Sequence, residues 1–107
     1  MRTTRQSLAV VLLAALAGSA VAQSYPTKPV TMIVPVNAGG PTDVVARTVA
    51  ARMSERMPPG FVIENRIGAG GVIGSEAVAR ATADGQTLLM GTSALAIFPY
   101  LYRLRFD

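Results

Sequence analysis

The sequence predicts an α/β fold built on a parallel sheet, in the order β-α-β-α-β. Three short apolar segments, residues 30–34, 61–64 and 86–91, alternate with two helical patterns. A glycine-rich loop follows each of the first two strands and leads directly into a helix. Strands that alternate with helices over short connections form parallel sheets with right-handed crossovers.

The first strand, residues 30–34, follows an extended lead-in at residues 24–29. It is apolar on both sides, which indicates burial between two layers. Pro35 ends it, and Pro41 or Thr42 can begin the next helix, with Asp43 placing a carboxylate near the positive helix end. Val45, Val49 and Met53 recur at four-residue spacing, so we expect them to form the buried stripe of that helix.

The second helix pattern consists of small residues and begins after the second glycine loop. Ile73, Ala77 and Ala81 predict a narrow apolar edge that packs close to the sheet. The turn at residues 83–85 then leads into the third strand, residues 86–91.

The loops after the three strands are the candidate binding elements. Residues 36–43 and 65–71 place glycine backbones beside helix N-termini, which favour anions, and residues 91–93 follow the third strand. Ligands of parallel sheets bind at the carboxyl ends of the strands, so three such loops predict a cleft at one edge. The alternative for a single loop of this kind is a tight turn that binds nothing.

Other site chemistries find little support. Cysteine, histidine and tryptophan are absent, which excludes a disulfide framework, a thiolate nucleophile, a histidine base and a Cys/His metal site. The glycine spacing fails the dinucleotide pattern because Ile73 stands at its sixth position. Asp43 is more typical of a helix start than of a base, and Glu64 of a surface group or an ion-pair partner of Arg66. We therefore expect no enzyme, no cofactor and no metal.

The N-terminus has the features of a secretory signal. Arg2 and Arg5 precede an apolar run at residues 8–17, and a small-x-small site at residues 20–22 predicts cleavage after Ala22. This divides the chain into a signal peptide, residues 1–22, and an α/β domain, residues 23–107, exported to a bacterial periplasm. The formal charge of +4 includes the two arginines of the signal, so the domain is not basic enough to indicate nucleic acid as a partner.

Five motifs follow one another along the chain: Tyr25-Pro26-x-Lys28-Pro29-Val30, Ile33-Val34-Pro35, Gly39-Gly40-Pro41-Thr42-Asp43, Glu64-Asn65-Arg66-x-Gly68-Ala69-Gly70-Gly71-x-Ile73-Gly74, and Asp84-Gly85-x-Thr87-Leu88-Leu89-Met90-Gly91-Thr92. In this order they resemble the N-terminal part of the Bug family, the TctC-like periplasmic solute-binding proteins of tripartite tricarboxylate transporters.

The resemblance implies a type II-like periplasmic binding protein fold, with two α/β domains hinged around a cleft. It implies that backbone N–H groups and ordered water hold a small carboxylate solute, which is delivered to membrane permease subunits. The ligand-binding positions carried over are Asn37, Ala38, Gly39, Gly40, Thr42 and Asp43 in the first loop, Gly68, Ala69 and Gly70 in the second, and Thr92 and Ser93 after the third strand. Gly71 is expected to allow close packing.

Two departures from the family pattern bear on function. The first loop reads Val36-Asn37-Ala38 where an aromatic residue and prolines are common. The chain also stops at Asp107. We therefore expect a truncated chain that contains part of the first domain, lacks the second and is not competent to bind a ligand alone. The alternatives to a transport receptor are a ligand-sensing subunit of a signalling system and an inert gene remnant.

Overall fold

A three-stranded parallel sheet is the centre of the structure, a computed structural model that describes residues 24–106. Its strands are β1 (Val30–Val34), β2 (Phe61–Asn65) and β3 (Thr87–Leu89), in the order β2-β1-β3. Val34 lies opposite Asn65, and Ile33 lies opposite Leu89. The predicted parallel α/β architecture is confirmed, with β3 shorter at both ends than the sequence indicated.

Two helices cover opposite faces of this sheet. Helix α1 (Pro41–Ser54) connects β1 to β2 and packs on the face that carries Met32 and Val34. Helix α2 (Val72–Ala79) connects β2 to β3, and Ala77 shares a cavity with Thr31 on the other face. The central strand β1 is consequently buried on both sides, as its apolar sequence predicted.

The predicted buried stripe of α1 is wrong at Val45 and Val49, and Met53 is only half-buried. Asp43, Ala46 and Ala50 are the buried residues of this helix, whereas Val45 is 55% exposed and Val49 is also exposed. Small side chains let the helix backbone approach the sheet closely, and Ala46 accordingly joins the core cluster with Met32 and Val34. The valines lie to the side of this contact, so their spacing identified a helix but not its buried face.

The predicted edge of α2 is only partly right. Ala77 and Ala81 are half-buried against the sheet, but Ile73 is 52% exposed. Val72, Gly74 and Ser75 are buried instead. A Cβ atom on Gly74 would lie 2.8 Å from the carbonyl oxygen of Arg66 and 2.9 Å from Pro35 Cβ, so glycine sets the close approach of α2 to the end of β1.

The chain after β3 forms helical turns that the sequence patterns did not predict. A 3-10 turn (Ser93–Ala96) is followed by the short helix α3 (Phe98–Leu101). Phe98 is buried and meets the ring of Tyr102 edge to face. The predicted signal peptide lies outside the described residues. Within residues 24–106, no helix has both the length and the apolar character that a membrane crossing requires.

Candidate functional site

The candidate site is the edge of the sheet where all three strands end. Because the strands are parallel, Val34, Asn65 and Leu89 lie at this edge together with the loops that follow them. The Arg66 N–H donates to Val34 O at 3.0 Å, and the Met90 N–H donates to Ile33 O at 2.9 Å. The chain leaves β1 towards β2 on one side and later returns to β3 on the other. This reversal of strand order is where α/β sheets bind ligands.

The first loop brings the N-terminus of α1 to this edge. Gly40 is the residue before the helix and makes no side-chain capping bond, while Pro41 occupies the first turn. The first N–H groups of a helix lack intrahelical acceptors and lie at its positive dipole end. Of the predicted ligand positions here, Asn37, Ala38 and Gly39 are exposed, and Gly40 and Thr42 are half-buried.

Asp43 differs from its neighbours because its side chain is buried, at 1% exposure. One carboxylate oxygen, Oδ2, accepts from Arg47 Nε at 2.8 Å and from the Gly39 N–H at 2.9 Å. The other, Oδ1, accepts from Asn65 Nδ2 at 2.8 Å. Both oxygens therefore already have donors within the chain.

These contacts determine the ionisation of Asp43. The hydrogen bonds from Arg47, from the Gly39 N–H and from Asn65 together hold the pKa of this carboxyl well below its usual range. They outweigh the opposing effect of burial. Asp43 is consequently a carboxylate at every pH near neutrality.

The second glycine loop adopts backbone angles that favour glycine. Gly68, Gly70 and Gly71 have φ values of 136°, 65° and 106°. A Cβ on Gly71 would lie 3.3 Å from Phe98 Cζ and 3.5 Å from Pro35 Cβ, which is the close packing expected of this position. Ala69 and Gly70 are exposed at the tip, immediately before α2.

The third loop adds hydroxyl groups to the same edge. Thr92 is half-buried and precedes the 3-10 turn, and its carbonyl accepts from the Leu95 N–H at 3.1 Å. Ser93 begins that turn and is exposed. Thr42 and Asp43 lie in the first turn of α1, and the other predicted ligand positions lie in the three loops that follow the strands.

Glu64 pairs with Arg66, as the sequence suggested. Among residues 24–106, no three His, Cys, Asp or Glu side chains gather closely enough to hold a metal ion. Arg47 and Asn65 were not among the predicted site residues; the signal for Arg47 was its position one helical turn after Asp43.

Comparisons with known proteins identify the family of this chain. Residues 45–107 match the family described as tripartite tricarboxylate transporter family receptor. BugT of Bordetella pertussis is 43% identical over 97 residues, which cover 88% of this chain and 30% of that protein. The chain thus spans about a third of the length of the curated relatives it matches.

Solved structures give the same result. MatC of Rhodopseudomonas palustris with bound malate has a TM-score of 0.64 and 40% identity, covering 75% of this chain and 29% of that one. An R. palustris protein with adipate has a TM-score of 0.65 and 46% identity, covering 66% and 24%. The periplasmic binding protein BugD has a TM-score of 0.59 and 52% identity, covering 61% and 22%. This chain belongs to the TctC family of periplasmic solute-binding receptors, the receptor family of tripartite tricarboxylate transporters.

Proposed function

We propose that this chain contributes to the capture of a small carboxylate solute for a tripartite tricarboxylate-type transporter. The observation that carries the proposal is the convergence of the three loops on one edge, where α1 starts without a side-chain cap. Structures of two relatives contain the dicarboxylates malate and adipate, which supports the same ligand class here. The solute is bound and released unchanged, and membrane permease subunits receive it.

Backbone N–H groups are the proposed donors to the ligand carboxylate. The exposed tips at Asn37, Ala38, Ala69 and Gly70 offer them, and hydroxyls of residues such as Thr92 add side-chain donors. The acidic side chains nearest the edge repel an anion only weakly, because Asp43 forms an ion pair with Arg47 and Glu64 forms one with Arg66. The proposed site therefore attracts a carboxylate without a dedicated cationic side chain.

The proposed location follows from the N-terminal signal. Cleavage after Ala22 would release a chain that begins at Gln23 on the periplasmic side of the inner membrane. That compartment is where a receptor meets its solute before the permease does. Periplasmic relatives such as BugD support this assignment.

Isothermal titration of the purified chain with malate and adipate tests the proposal, with the corresponding neutral diamides as ligand controls. We expect the dicarboxylates to bind and the diamides not to bind, which would overturn the sequence-based expectation that a chain of this length does not bind alone. Thr92→Val should weaken dicarboxylate binding about tenfold, the effect of one lost hydrogen bond to a charged group. Thr48→Val, on the exposed part of α1, is the matched control and should leave affinity unchanged. Equal binding of diacid and diamide, or no binding of either acid, would contradict the proposal.

A further inference from the structure

Asp43, Arg47 and Asn65 form a closed group of three side chains in which every pair is hydrogen-bonded. Asp43 Oδ2 accepts from Arg47 Nε at 2.8 Å, and Asp43 Oδ1 accepts from Asn65 Nδ2 at 2.8 Å. Arg47 Nη2 completes the group by donating to Asn65 Oδ1 at 3.1 Å. The three residues come from α1 and from the end of β2, so the group joins two separate elements.

The same group holds both ends of the first loop. The Gly39 N–H donates to Asp43 at 2.9 Å, and Asn65 Nδ2 donates to Val36 O at 3.0 Å. Between these two points the chain is exposed at Asn37 and Ala38. The turn bond from the Gly40 N–H to Asn37 O is longer, at 3.3 Å, and is the weaker constraint.

We propose that Asp43, Arg47 and Asn65 are positioning residues that hold the loop of residues 36–39 in its binding conformation, and that Asp43 does not contact the ligand. This rests on the function proposed above and replaces the sequence-based expectation that Asp43 is itself a ligand contact. A carboxylate is only an acceptor, and both of its oxygens are already used. The ligand carboxylate is also only an acceptor, so it cannot form a hydrogen bond with Asp43, whereas it can accept from the N–H groups of the loop tip.

The proposal predicts that removing the negative charge of Asp43 weakens the binding of an anionic ligand. If Asp43 acted only as a negative charge near the site, Asp43→Asn would remove repulsion and strengthen the binding of an anion. If Asp43 is a positioning residue, the same substitution instead weakens anion binding, because the loop is no longer held in place. The amide of the Asp43→Asn variant has one oxygen and one NH2 group. The NH2 group must then face either Asn65 Nδ2 or the Gly39 N–H, and because both are donors, that hydrogen bond is lost.

Titration with malate and adipate tests whether Asp43→Asn weakens or strengthens dicarboxylate binding. We expect Asp43→Asn to weaken dicarboxylate binding about tenfold or more. Glu64→Gln removes the same charge from the neighbouring end of β2 and is the matched control, with affinity expected to stay within about twofold. Asn65→Ala, which keeps Asp43 and Arg47 paired, should weaken binding in the same direction. Unchanged or tighter binding by Asp43→Asn would overturn the proposal.

Amide hydrogen exchange provides a readout that general destabilisation would not reproduce. In Asp43→Asn, exchange at the Gly39 amide should accelerate about tenfold or more, while amides of β1 such as Val34 keep their rates. Uniform acceleration at both places would mean that Asp43 supports the whole fold, and the proposal would fail. If the wild-type chain binds neither malate nor adipate, the proposed function is wrong, and the exchange experiment alone decides whether these residues hold the loop.

Discussion

Replacing Gly74 with alanine tests whether α2 lies too close to the end of β1 to accept a side chain at this position. Glycine inside a helix is normally unfavourable, and Gly→Ala there stabilises a protein by about 1 kcal/mol. At Gly74 the added Cβ would lie 2.8 Å from Arg66 O and 2.9 Å from Pro35 Cβ. One of these atoms is backbone and the other belongs to a rigid ring, so neither can move aside by a rotamer change.

The magnitude follows from these two opposing effects. Overpacking of a tight contact costs about 1–3 kcal/mol, and a clash with backbone belongs to the upper part of that range. Subtracting the helix gain of about 1 kcal/mol leaves a net destabilisation of about 1–2 kcal/mol. For a domain of this size the loss corresponds to a fall in Tm of very roughly 4–15 °C.

Urea denaturation followed by far-UV circular dichroism measures this difference. Ala51→Gly, at an exposed position of α1, is the matched control because it changes helix propensity without a close contact. It should destabilise by about 0.5–1 kcal/mol and so calibrates the propensity effect in this chain. A Gly74→Ala variant more stable than wild type would refute the reasoning, since it would mean that α2 has room for a Cβ.

Three other predictions address the core, the ionised carboxylate and the N-terminus. Val34→Ala should cost about 2 kcal/mol in urea denaturation because Val34 is fully buried, while Val45→Ala stays within about 0.5 kcal/mol; equal losses would contradict the observed face of α1. The depressed pKa of Asp43 stabilises the fold above the unfolded value of about 3.9, and this contribution is lost as pH falls through the folded pKa. Between pH 5 and pH 3 the stability of wild type should therefore fall more steeply than that of Asp43→Asn, and parallel curves would contradict the assignment. N-terminal sequencing of the exported chain should begin at Gln23, and an intact Met1 would exclude cleavage after Ala22.

The sequence predicted the strands and the loops well because their signals are local. Pro35 and the glycines of the two loops interrupt regular structure wherever they occur, and the apolar run of β1 is typical of a strand covered on both faces. The buried face of α1 could not be predicted in the same way. Val45 and Val49 suggested one face by hydrophobicity, but Ala46 and Ala50 lie against the sheet. Helix orientation here depends on how closely the backbone can approach, which a count of apolar residues does not measure.

The partners of Asp43 illustrate a second limit. Asp43 and Asn65 are 22 positions apart, and no local pattern connects them. Parallel pairing brings Asn65 opposite Val34, at the point where the first loop begins. Their contact is thus a consequence of the sheet register, which the sequence indicated only as a class of topology. The helical turns after β3 have a recognisable signal in Ser93 and Pro99, which are typical of helix starts, but the strand pattern alone did not predict them.

The charges at the edge of the sheet explain why loop geometry should matter more than side-chain charge for the proposed carboxylate ligand. Each acidic residue near the edge has an arginine partner on its own chain, Arg47 for Asp43 and Arg66 for Glu64. These pairs leave little net charge there to attract or repel an anion. What remains is the direction of the backbone N–H groups, and an N–H contributes fully only when it lies in line with its acceptor. Residues that hold a loop in place can then affect affinity as strongly as residues that touch the ligand, which is the role proposed for Asp43 and Asn65.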